Sequence, residues 1–184
     1  MKTIGVITSA RSDFGIYRSL LHAIDNESSL ELQLVATGMH CAPSFGNTIA
    51  HIQEAGFAIH SRVDSLLASD SPEGIAKSMG VGITGFAQLF SRWQPDIVFV
   101  LGDRFDMYPA AVAALPFGIP LAHIAGGEVT EGAIDDSLRH SITKLSHLHF
   151  VTMRESAERL MRMGEEPWRI EIAGAPALDA LRTH

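Results

Sequence analysis

Val98-Phe-Val-Leu-Gly-Asp-Arg-Phe-Asp106 continues an apolar run begun at Ile97 straight into the turn Gly102-Asp103-Arg104. The run is apolar at every residue rather than at alternate ones, as expected of a strand covered on both faces. Similar short runs recur along the chain and predict strands at Thr3–Thr8, Leu30–Thr37, Phe57–Val63, Ile97–Leu101, Pro120–Ile124, Leu148–Thr152 and Ile170–Ala173. Helical patterns lie between them, near Phe14–Ile24, Asn47–Glu54, Pro72–Arg92, Met107–Leu115, Ser137–Ser146 and Glu155–Met163. Strands alternating with helices predict a parallel sheet with right-handed crossovers. The fold class is therefore α/β, a Rossmann-like doubly wound parallel sheet. No repeat, low-complexity tract or linker divides the chain, and residues 1–184 read as a single domain.

Composition bounds the function. Of the 184 residues, 46% are hydrophobic and 19% charged, which is a globular mixture. The net charge of −7 argues against a broad nucleic-acid-binding face. It leaves room for an anionic small molecule, since a few arginines and helix N-termini reverse the potential inside a cleft. The single cysteine, Cys41, allows no internal disulfide and fits a reducing compartment. No stretch approaches the ~20 apolar residues of a membrane span, and the N-terminus lacks signal-peptide design. A cytoplasmic protein, bound to neither membrane nor nucleic acid, is expected.

In an open α/β sheet, ligands sit outside the carboxyl ends of the strands. Asp103 follows a buried strand directly, so partial desolvation should raise its pKa unless a cation is close. Arg104 is the cation nearest in sequence; Asp103 as a helix cap and Arg104 as a surface side chain is the alternative. Thr8-Ser-Ala-Arg-Ser-Asp-Phe-Gly15 leads from strand one into a helix capped by Ser12 or Asp13. Free backbone N–H groups there, with Arg11, suit a phosphate. The segment lacks the glycines of the dinucleotide fingerprint, so no nicotinamide cofactor is expected. His40, after strand two, projects toward the crevice or serves the structure. The glycine pair of His123-Ile-Ala-Gly-Gly-Glu128 lets the backbone approach a ligand or adopt φ > 0, with Glu128 in the resulting loop; a plain glycine turn with a solvated glutamate is the alternative. Asp135 and Asp136 open the next helix, one of them as a cap, and Arg139, His140, Thr143 and Lys144 follow on it. His147 and His149 read as structural. No HExxH, CxxC or GxSxG motif is present, which speaks against a catalytic metal or a serine hydrolase.

Together these motifs resemble the hydrolysing UDP-N-acetylglucosamine 2-epimerases of sialic acid biosynthesis. The likeness rests on Ala10-Arg-Ser-Asp-Phe, Gly102-Asp-Arg-Phe-Asp106, His123-Ile-x-Gly-Gly-Glu-Val129 and Ile134-Asp-Asp-Ser-Leu-Arg-His-x-Ile-Thr-Lys-Leu145, in one order from Thr3 to Leu181. The resemblance implies a GT-B-like fold of two Rossmann-like domains, of which this chain matches the N-terminal one. It implies elimination of UDP to a 2-acetamidoglucal, then hydration to N-acetylmannosamine. It also implies roles: Asp103 as an acid/base group, Asp135 as a second carboxylate, Arg11 near the phosphates, His40 near the sugar, and Arg139 orienting the carboxylates. Arg104 joins the substrate-binding group, and neither metal nor cofactor is implied. The animal enzymes carry glutamate where this chain has Ala125, and Glu128 is the carboxylate placed to take over that role. The same change leaves room for a different sugar, such as the diacetamido sugars of legionaminic acid routes.

Gly174-Ala-Pro-Ala-Leu-Asp-Ala-Leu181 reads as a turn and a helix start, taken as truncation at a domain junction. A fragment without the second domain is expected to be inactive, because proximity and orientation are lost. A homodimer or larger homo-oligomer is expected, with Ile75, Met79, Ile83 and Phe86 as core or dimer surface. Two other readings remain open. One is a stand-alone module that binds a nucleotide-sugar or dimerises without turnover; the other is a non-hydrolysing 2-epimerase of the same fold.

Overall fold

A computed structural model of the chain describes residues 1–46 and 48–178. The predicted helix start at Asn47 and the Asp179–Leu181 part of the terminal reading lie outside the described residues. The strands are β1 (Lys2–Thr8), β2 (Leu30–Thr37), β3 (Ile59–Val63), β4 (Ile97–Leu101), β5 (Leu121–Ile124), β6 (Leu148–Val151) and β7 (Ile170–Ile172). The helices are α1 (Arg11–Asp25), α2 (Thr48–Glu54), α3 (Pro72–Phe90), α4 (Tyr108–Ala114), α5 (Ile134–Leu145) and α6 (Arg154–Arg162). The strands form one parallel sheet in the order β3-β2-β1-β4-β5-β6-β7. This is the doubly wound Rossmann-like sheet expected. Its order reverses between β1 and β4, which opens a crevice at their carboxyl ends.

Alternate side chains of each strand feed two cores. Ile7, Val35, Val98, Val100 and Leu121 pack with Phe86 and Phe90 of α3, the alanines of α4 and Ile142 of α5. Phe86 lies in this core rather than on a dimer surface. Ile4, Val6, Leu34 and Ile124 pack on the other face with Phe14, Tyr17 and Leu21 of α1 and Ile52 of α2. Each large side chain buried in this way contributes about 1.5–3 kcal/mol. Over β4 to β6 the described residues cover the second face only in part: Phe99 and Phe150 stack at 5.8 Å beside a groove of about 300 Å³.

Three predicted boundaries moved for identifiable reasons. α1 starts at Arg11, before the expected Phe14, because the Asp13 carboxylate accepts the N–H groups of Ser9 (3.1 Å) and Ala10 (3.2 Å) and fastens the first turn. β3 starts at Ile59, since Phe57 is spent closing α2 through its N–H to the Ile52 carbonyl at 3.2 Å. α5 starts at Ile134, so both acidic residues lie inside its first turn.

Candidate active site

At the carboxyl edge of the sheet the loops following β4 and β5 meet the first turns of α5, through Asp103–Arg139 and Thr130–Asp136. β4 runs into Gly102, whose φ of +69° favours glycine and turns the chain before Asp103. Asp103 does not pair with Arg104. Its partner is Arg139, whose Nη2 donates to Asp103 Oδ2 from the second turn of α5. Arg104 instead clamps Asp106 with two bonds of 3.0 Å, from Nε to Oδ1 and from Nη2 to Oδ2. The expectation that Arg104 is the cation of Asp103 is corrected here. A planar guanidinium two residues from Asp106 reaches both its oxygens at once, which Asp103 does not offer.

Burial pushes the Asp103 carboxyl above its ordinary value, and the Asp135 and Glu128 carboxylates push the same way. Arg139 opposes them without reversing the balance. The result is a half-buried carboxyl that takes up a proton more readily than a free aspartate. Arg139 itself is buried, and its Nε and Nη1 find no acceptor among the described residues. Two desolvated donors thus accompany the Asp103 contact, an arrangement suited to developing negative charge.

The acidic pair of α5 divides its labour. Asp136 Oδ1 accepts the Thr130 N–H at 3.0 Å and closes the preceding loop. Asp135, half-buried, is left to act on Asp103 and Arg104 through its charge. Glu128 is anchored by the Thr152 hydroxyl, which donates to its Oε1 at 2.8 Å. Asp103, Glu128, Asp135 and Arg139 therefore share one site, and Arg104 borders it.

Of the two readings left open for His40, the geometry favours the structural one. His40 is buried, with Nε2 at 3.0 Å from Thr8 Oγ1 and Nδ1 at 2.9 Å from Thr48 Oγ1, and burial lowers its pKa. Hydroxyls on both flanks use up the ring. Just before α1, the Asp13 carboxylate accepts the N–H groups of Ser9 and Ala10 and is itself buried. Arg11 stands exposed at the head of that helix.

In the glycine pair, Gly127 adopts the positive φ (+77°) expected as one of its two uses. A Cβ on Gly126 would lie 2.9 Å from His123 Nδ1, and one on Gly127 would lie 2.6 Å from the Ser156 carbonyl. The backbone here approaches α5 and α6 closely. The residue before the pair, Ala125, takes a φ of +61°, left-handed backbone that L-residues rarely adopt. His149 is fully buried against Glu165, which also binds Lys144, and His147 accepts the Leu121 N–H, so both are structural. Among the described residues, no group of three or more His, Cys, Asp or Glu side chains is placed to hold a metal ion. No helix among them is long and apolar enough to cross a membrane.

Sequence reading missed Asp13 as the anchor of α1 and Thr143 as a partner of His123 (3.1 Å). Asp13 was nameable only as a cap, and Thr143 carried no signal beyond its helical spacing from Arg139.

Residues 22–184 match the profile of the family described as UDP-N-acetylglucosamine 2-epimerase. The chain belongs to that family. It is 42% identical over 176 residues to GDP/UDP-N,N'-diacetylbacillosamine 2-epimerase (hydrolyzing) of Campylobacter jejuni, covering 96% of this chain and 46% of that protein. It is 38% identical over 181 residues to UDP-N,N'-diacetylbacillosamine 2-epimerase (hydrolyzing) of Legionella pneumophila, covering 98% of this chain and 48% of the relative. The chain thus spans about half the length of the curated relatives it matches. In fold it is similar to UDP-GlcNAc 2-epimerase of Neisseria meningitidis bound to UDP-GlcNAc, with a TM-score of 0.85 at 18% identity over 100% of this chain and 49% of that one. The family match is to its N-terminal part, as the resemblance implied.

Proposed function

We propose that this chain supplies the acid–base half-site of a hydrolysing UDP-sugar 2-epimerase. One observation carries the reading: Asp103, held by buried Arg139 at the switch point of the sheet, has its carboxyl raised by burial beside Asp135 and Glu128. Elimination of UDP across C1–C2 needs a base for the C2 proton and stabilisation of the departing diphosphate. Hydration of the resulting glycal then needs a proton donor and an activated water. A raised carboxyl can hold the proton for one step and release it in another. Asp135 and Glu128 are the second and third proton-transfer candidates, Glu128 in place of the carboxylate that Ala125 cannot supply. Arg139 orients Asp103, and Arg11 and Arg104 line the approach of the anionic substrate. His40 acts through the backbone it holds rather than by proton transfer.

The substrate is a UDP-sugar bearing a 2-acetamido group. Relatives at similar identity are named for a diacetamido sugar and for UDP-N-acetylglucosamine, and both sugars are candidates. We expect the 184 residues alone to be inactive, since the rest of a full-length relative would close the cleft over the substrate. UDP release from both sugars, measured on the chain and on a form extended to the length of its relatives, tests the reading. Release by the longer form only, reduced in Glu128→Gln, supports it. Release by neither form from either sugar sinks it in favour of a binding module, and undiminished turnover of Glu128→Gln removes Glu128 from the mechanism.

A further inference from the structure

His123 is fully buried at the third position of β5, and its ring joins three segments of the site. Nε2 donates to the Gly102 carbonyl at 2.8 Å, and Nδ1 meets Thr143 Oγ1 of α5 at 3.1 Å. The Gly102 N–H is tied to the Ile124 carbonyl at 2.9 Å. The Gly102 carbonyl belongs to the same peptide plane as the Asp103 N–H, so the His123 bond fixes the plane from which the Asp103 side chain departs. On the far side, Asp135, Arg139 and Thr143 occur at i, i+4 and i+8, one face of α5. The bond that holds Thr143 therefore also sets the height and rotation of the face presenting Arg139 and Asp135. Gly126 completes the arrangement, since a Cβ there would stand 2.9 Å from Nδ1 and 3.1 Å from Thr143 Oγ1.

We propose that His123 and Thr143 are positioning residues for the reaction, holding the Gly102–Asp103 turn and the α5 face in the one relation that lets Asp103 meet Arg139. The proposal rests on the reading of Asp103 as an acid–base group. A carbonyl acceptor at Nε2 fixes the tautomer: Nε2 carries the proton and Nδ1 accepts the Thr143 hydroxyl. Burial, only partly offset by the bond to the Gly102 carbonyl and reinforced by the Arg139 charge, lowers the His123 pKa to about 3, so the ring stays neutral and moves no proton. The groups that face Asp103 are Arg139 and Asp135 of α5 and Glu128 of the loop after β5. A small displacement of α5 changes the first two together, and with them the acid strength of Asp103.

The test uses the chain extended to the length of its relatives, with UDP release as the assay. Thr143→Val keeps the shape and deletes the hydroxyl. We expect it to lower kcat about 10- to 100-fold with KM unchanged, and to shift the limb of the pH–rate profile that Asp103 controls. Thr143→Ser restores both. ¹⁵N shifts of the His123 ring, read on the same protein, should show one tautomer with the proton on Nε2 throughout neutral pH. A folded Thr143→Val with the parent's kcat and pH limb overturns the proposal, as does an imidazolium or an Nδ1–H tautomer in the parent. Asp103→Asn with parent turnover overturns the reading of Asp103 and the proposal with it. An inactive Asp103→Asn beside a parent-like Thr143→Val overturns the proposal alone.

Discussion

Asp103 and Asp106 leave the same turn three residues apart, and each is paired with one arginine. The pairs differ in kind. Asp106 is 1% exposed and uses both oxygens on Arg104, whose own side chain is 34% exposed. Asp103 is 20% exposed and receives one Nη2 of an Arg139 that is only 8% exposed. In the first pair the carboxylate is saturated and the cation faces outward, so its work is to shape the turn against Gly38. In the second pair the cation is buried with donors to spare and the carboxyl opens toward the crevice. The pair that closes a turn and the pair proposed to react thus differ in which partner keeps unused hydrogen-bonding capacity.

The largest expected consequence lies on the reactive side. Asp103→Asn in a full-length form should lower kcat for UDP release by about 10²- to 10⁴-fold, the usual worth of a positioned acid–base group. A loss within a few-fold would erase the distinction. On the structural side, Asp106→Ala should appear in thermal unfolding instead. Removing the partner of a buried pair costs ~3–5 kcal/mol, and because Arg104 is one-third exposed we expect about 2–3 kcal/mol. Gly38→Ala strains the same pair from the other direction. Its Cβ would stand 2.5 Å from Asp106 Oδ2 at a φ of +54°, and a loss of about 1–3 kcal/mol in chemical denaturation is expected.

The pH dependence of stability sharpens the contrast with the buried imidazoles. His123 has a folded pKa of about 3 against an ordinary 6.5, so the unfolded chain takes up the proton first as pH falls. Its contribution is fully present above 6.5 and is lost on descent toward 3, at a slope of up to ~1.4 kcal/mol per pH unit. His40 and His149, also lowered by burial, act in the same direction. Thermal melts at pH 7 and pH 5 should therefore show the acid sample less stable, and equal midpoints would contradict the neutral buried rings. The smallest effect is expected at Ala125. Replacing it with glycine relieves the left-handed backbone and should raise stability by about 0.5–1 kcal/mol in the same melts.

Much of this was legible beforehand, for stated reasons. The unbroken apolar run Ile97–Leu101 marked a strand covered on both faces, and Asp103 directly after it had to lie at the carboxyl edge of the sheet, since both follow from position along one strand. Period and turn chemistry located the other elements in the same way. Partner choice was not legible. Arg139 lies 36 residues from Asp103, and only the docking of α5 on the sheet decides that it, rather than adjacent Arg104, reaches the carboxyl. The choice between the two readings of His40 and of the glycine pair was not legible for a related cause: a turn at the carboxyl edge exposes polar groups on paper, but here Thr8, Thr48 and α6 close over them. Local sequence speaks to local geometry, and the choice between crevice and core is made by elements far along the chain.

The most direct test of the account is a ¹³C titration of the Asp103 carboxyl, assigned by its disappearance in Asp103→Asn. The account predicts a midpoint above the ordinary aspartate value of 3.8, with burial and the Asp135 and Glu128 charges outweighing Arg139. A midpoint below 3.8 would make Asp103–Arg139 a second structural ion pair like Asp106–Arg104, and would contradict the assignment of Asp103 as the proton-transfer group.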